Sequence, residues 1–118
     1  MKSYITVLVL LCACAASADT FTVTAYDNSG PNGCSICCGK HAPFNLTASG
    51  RRPVAGVTCA APKRIPFGTW VYIEGVGKRR VEDRLARRFP DRWEIFVSTH
   101  KTAKIFGKQR LDITILKP

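Results

Sequence analysis

From residue 21 onward the apolar positions recur with a period of two, in short runs that punctuation residues keep apart. "FTVTAY" (21–26) alternates and is rich in β-branched residues. "WVYIEGV" (70–76), "RRVED" (79–83), "RWEIFVS" (92–98) and "RLDITIL" (110–116) follow, each bounded by Gly, Pro or Asp. One stretch breaks the pattern. "STHKTAKIFG", Ser98 to Gly107, spaces Ala103 and Phe106 for one helix face, offers Ser98 or Thr99 as a cap and ends on glycine. Six or so short strands with a single short helix predict an all-β fold closed into a barrel.

Between the first and second of these runs lies a long segment, residues 27–64, dense in Gly, Pro, Asn and Ser. A loop of that length is usually functional or disordered. Its cysteines favour an ordered one, because covalent bonds would pin it. No repeat, low-complexity tract or linker divides the chain, so one domain is expected over residues 19–118.

The first eighteen residues read as a leader. Lys2 is its only charge, an apolar run extends from Tyr4 to about Ala16, and Ala16-Ser17-Ala18 supplies the small-x-small site of a secretory signal. The run is too short for a spanning helix. A lipoprotein box around "LCAC", anchored at Cys14, fits less well than simple export. The expected product is therefore secreted or periplasmic.

Export changes how the thiols and charges read. Of the six cysteines in the chain, Cys34, Cys37, Cys38 and Cys59 lie beyond the leader, which points to two disulfides. Cys37 and Cys38 are adjacent and a bond between them would be strained, so each is expected to reach elsewhere, with Cys59 a candidate partner. His41 lies close enough to the first three thiols for a zinc site to compete. An oxidising compartment favours the bond, and no metal or cofactor is expected. Formal net charge is +10, and loss of Lys2 takes it to +9. A field of that sign attracts anionic polymers; export and the lack of an RNA-binding or recognition-helix pattern argue against nucleic acid.

Against this cationic background, Glu82, Asp83, Asp91 and Glu94 cluster within sixteen residues, "VEDRLARRFPDRWEIF". Alternation in "RWEIFV" puts Trp93, Ile95 and Val97 on one face and Glu94 and Phe96 on the other. If the odd-numbered apolar residues fill the barrel, Glu94 points into a groove on its outer wall.

The ordered series "TAY", "TASG", "AAPKRIPFGTWVYIEGVG", "VEDR", "RWEIFVSTHKTAKIFG" and "LDITIL" resembles the three-aspartate domain. This is a double-psi β-barrel of bacterial cell-wall proteins such as the membrane-bound lytic transglycosylase A family and small muralytic proteins. The resemblance covers nearly all of the chain after residue 21, and the "CxxCC" cluster looks like that of small secreted members. The family's three acidic positions, twenty-two and then eleven residues apart, fall on Ala61, Asp83 and Glu94; the usual "EDTGG" has become "EDRLA". The resemblance implies a six-stranded double-psi barrel with a disulfide-pinned loop. It also implies a lytic transglycosylase that cleaves the bond between N-acetylmuramic acid and N-acetylglucosamine. Glu94 would be its proton-transferring acid and Asp83 the neighbouring carboxylate. Tyr26, Thr47, Ser49 and Lys40 would bind substrate, and the protein would act as a monomer on glycan strands and anionic wall polymers. Two other classes compete: a non-catalytic carbohydrate-binding barrel of expansin type, and a cationic defence protein.

Overall fold

The computed structural model describes residues 18–28, 46–85 and 88–116. Six strands and one helix are seen among them: β1 Asp19–Tyr26, β2 Thr58–Ala60, β3 Trp70–Ile73, β4 Gly77–Asp83, β5 Trp93–Phe96, α1 His100–Phe106 and β6 Lys108–Ile115. The strands close into a barrel in the order β1-β5-β2-β4-β3-β6, with β6 pairing back onto β1. Closure leaves no free sheet edge.

Alternation decides which side chains fill the barrel. Val23 and Ala25 from β1, Val71 and Ile73 from β3, Val81 from β4, Trp93 and Ile95 from β5 and Ile113 from β6 form one buried cluster. Trp93 is the largest fully buried side chain and meets Phe21 at a tilted 5.8 Å. Each aliphatic side chain so buried contributes about 1.5–3 kcal/mol. The helix adds Ala103 and Phe106 to the same core. Its cap is Thr99, whose hydroxyl accepts from the Thr102 amide, and it stops at Gly107, where φ is 64°. The β3–β4 hairpin turns through Gly75 at φ 72°, a left-handed conformation that side chains disfavour.

Two expectations need correction. The segment 27–64 is not all loop, because β2 lies inside it. "TCA" is too short to show a period, yet all three residues are buried, with β4 on one side and β5 on the other. Cys59, expected as a disulfide partner, is a free thiol with no exposed surface, turned into the core beside Val81 and Ile95. Burial pushes its pKa up to about 12, so the thiolate that exchange chemistry needs is disfavoured. Cys34, Cys37, Cys38, Lys40 and His41, like residues 1–17 of the leader, lie outside the described residues.

β2 and β4 run parallel, with Thr58 opposite Arg80 and Cys59 opposite Val81; then the register shifts and Ala60 meets Asp83. Glu82 becomes the extra residue of a bulge. Bulges re-aim side chains, and this one brings Asp83 rather than Glu82 level with Ala60.

Candidate functional site

Four strands contribute to one row on the barrel's outer wall. Asp83 of β4 is opposite Ala60 of β2, Ala60 is opposite Glu94 of β5, and Glu94 is opposite Thr24 of β1. One strand therefore separates the two acids, which puts their Cα atoms about 10 Å apart. The next row carries Tyr26 opposite Phe96, whose rings meet edge to face at 5.4 Å. With Ala60 and Leu85 they form a second apolar cluster, apart from the barrel core.

Glu94 lies against this cluster. Thr24 donates a hydrogen bond to its Oε1 at 2.9 Å. Burial holds its carboxyl above the ordinary glutamate range; the Thr24 bond and the Arg92 charge pull the other way, and the Asp83 charge adds a smaller upward push. Desolvation therefore wins, favouring the neutral acid. Among the described residues, the Glu94 side chain bonds to Thr24 and to no arginine.

Asp83 is held differently. Tyr26 donates to its Oδ2 at 2.9 Å, while the backbone amides of Ala48 and Arg84 donate to its Oδ1 at 2.9 and 2.8 Å. Burial and the adjacent Asp83 carboxylate raise the Tyr26 pKa, so its hydroxyl keeps its proton and serves as a donor. The Arg84 guanidinium is occupied elsewhere, donating to the Ile65 carbonyl at 2.7 Å and stacking on Phe67 at 4.0 Å.

The structure thus brings Glu94, Asp83 and Tyr26 together. It places Thr47 and Ser49 close by but uses their polar groups locally. The two hydroxyls share a hydrogen bond at 2.9 Å, the Thr47 hydroxyl also donates to the Arg51 carbonyl, and the Ser49 amide donates to the Glu82 carbonyl. These bonds shape the turn whose Ala48 amide reaches Asp83. Ala61, where the resemblance set the first acidic position, is fully buried in the barrel core. The residue that faces the two acids is Ala60.

The other two acids of the cluster are structural. Glu82 is buried, taking a hydrogen bond from Thr58 at 2.8 Å and an ion pair from Arg80 at 3.0 Å. Asp91 pairs with Arg64 at 2.7 Å on the surface, a contact worth little. Asp112 accepts from the Thr20 hydroxyl on the outer wall.

Sequence reasoning passed over Thr24, although alternation from Tyr26 would place it on the same face. It also passed over Asp27, which has no exposed surface and lies 3.5 Å from Nδ1 of His100. An acid directly after a strand reads as a boundary residue, and nothing nearby in the chain signals its burial. Among the described residues, no three His, Cys, Asp or Glu side chains gather as a metal site. Compared with known proteins, the chain matches no family model and no curated sequence.

Proposed function

We propose that this protein is an exported lytic transglycosylase of peptidoglycan in which Glu94 is the sole proton-transferring group. The observation that carries the reading is a carboxyl whose pKa burial raises, one row along from the Tyr26–Phe96 pair and in one row with a second acid. Glu94 gives its proton to the glycosidic oxygen between N-acetylmuramic acid and N-acetylglucosamine as the bond to the anomeric carbon breaks. The resulting carboxylate takes the proton of the C6 hydroxyl, whose oxygen closes on the same carbon, leaving a 1,6-anhydro ring and the acid restored. One acid is enough because the nucleophile belongs to the substrate; paired-carboxylate hydrolases need two.

The remaining groups have supporting roles. Thr24 fixes Oε1 of Glu94 by its hydrogen bond and leaves Oε2 to carry the proton. Asp83, steadied by three donors, supplies negative charge beside the positive charge that develops at the anomeric carbon. Tyr26 and Phe96 pack edge to face in the row beside Glu94 and Thr24 and hold that part of the wall rigid.

The double-psi form of the barrel belongs to this proposal. Its support is topological: β1 with β5 and β2 with β4 run parallel, and four of the five chain connections skip over an intervening strand.

The test is digestion of purified murein sacculi with mass-spectrometric detection of anhydromuropeptides. Glu94→Gln should lower product formation about 10²–10⁴-fold, the usual contribution of a positioned acid. Asp83→Asn should slow it less. Sacculi left intact by the wild-type protein yet retained on it would favour the carbohydrate-binding barrel instead.

A further inference from the structure

Beyond the two acids, the same outer wall becomes strongly cationic. Thr24 has Glu94 as its register partner on one side and Lys108 on the other; two residues earlier on that face, Thr22 is opposite Arg110. Lys108 and Arg110, with Arg88 and Arg92 of the preceding turn, surround a cavity of about 290 Å³ walled by Phe89. The guanidinium carbons of Arg88 and Arg92 lie 4.9 and 4.6 Å from the centre of that ring.

The cavity has the character of a site rather than of a solvated charge run. Its single carboxylate, Asp91, is already engaged by Arg64. Arg92 Nε is buried without a hydrogen-bond partner. Arg110 donates to the neutral Thr22 hydroxyl and Thr20 carbonyl, both at 3.3 Å. Four cations around one hollow repel each other, and an oxyanion entering it would relieve that repulsion and offer the buried Arg92 Nε an acceptor.

We propose that this cavity is an anion subsite continuous with the acid row, taking a carboxylate or phosphate group carried by the wall polymer. The inference rests on the reading of that row as a glycan site. It adds what fixes the polymer's register: an anchored anion at one end and the scissile bond beside Glu94. Arg92 joins the two parts, because its charge both lines the cavity and opposes the upward shift of the Glu94 pKa. An anion on Arg92 would weaken that opposition and favour the protonated acid further.

Titration of the isotopically labelled protein, followed by amide chemical shifts, tests this without any turnover. Inorganic phosphate and N-acetylmuramic acid serve as probes, and uncharged N-acetylglucosamine as control. Both anions should shift amides around Thr22, Arg92, Lys108 and Arg110, and N-acetylglucosamine should leave these four unchanged. Lys108→Ala with Arg110→Ala, both at exposed positions, should weaken anion binding about tenfold, the loss expected for a charge-assisted contact. Tighter binding of N-acetylmuramic acid would identify the glycan's own lactyl carboxylate as the ligand; tighter binding of phosphate would identify a phosphodiester polymer. No shift with either anion, or shifts that persist in the double variant, would overturn the subsite. Anion binding that survives beside inert sacculi would separate it from transglycosylation, sinking the latter alone.

Discussion

Removing one hydroxyl, in Tyr26→Phe, isolates the bond that ties β1 to the end of β4. The ring is 8% exposed and its edge contact with Phe96 does not involve the oxygen, so the substitution opens no cavity. What disappears is a 2.9 Å hydrogen bond to a carboxylate. Bonds to charged groups contribute about 1.5–3 kcal/mol. Asp83 is half-buried and keeps two amide donors, so water can reach the oxygen released; the lower end, about 1.5 kcal/mol, is expected. With a urea slope of about 1.5 kcal/mol/M, the midpoint should fall by about 1 M at unchanged slope. Asp83→Ala removes three bonds and should cost about 3 kcal/mol. In the double variant the Tyr26 hydroxyl is lost with no carboxylate to miss it, so the cycle should give a coupling near 1 kcal/mol. A Tyr26→Phe midpoint within about 0.2 M of wild type, or additive losses, would refute the reasoning, because the hydroxyl would then be equally well served by solvent.

Glu94 makes stability depend on pH in a definite direction. Its carboxyl is raised above 4.5 in the folded state, so folding takes up a proton, and stability declines as pH rises from 4.5 through the folded value. Melts of Glu94→Gln between about pH 4 and 8 should lack that decline, leaving the variant more stable than wild type at neutral pH. The Cys59 thiol, raised from 9.0 to about 12, should impose a second decline across that alkaline interval, absent from Cys59→Ala. The same variant should lose about 1–2 kcal/mol at neutral pH by leaving a small hollow in the core. Peptide mapping after iodoacetamide treatment should find Cys59 unlabelled in native protein and labelled in denaturant.

The barrel was legible where side chains alternate. β1, β3, β4, β5 and β6 carry enough period-two signal to be placed, and Thr99 to Gly107 enough cap chemistry for α1. β2 was not legible, because three residues buried on both faces have no period to display. The site was half legible. That Glu94 leaves the core face follows from Trp93 and Ile95 beside it. That Asp83 rather than Glu82 joins it does not, since alternation from Val81 sends Glu82 to the outer wall and only the bulge against Ala60 reverses the order. Thr47 and Ser49 were assigned hydroxyl work that the turn itself consumes. Cys59 was read by its compartment, whereas its place between two apolar strand neighbours decides its chemistry.

The strand between the acids also bears on how the proton is held. Had β4 and β5 formed a hairpin, Asp83 and Glu94 could have been direct neighbours, and mutual repulsion would have made them a proton-sharing dyad. With β2 inserted, Asp83 is the weakest of the influences on Glu94, behind burial, Thr24 and Arg92. The upward shift of the Glu94 carboxyl therefore depends on its burial more than on its fellow carboxylate. Ala60, level with both acids in the register, is itself buried, so a longer side chain there would have to displace its neighbours.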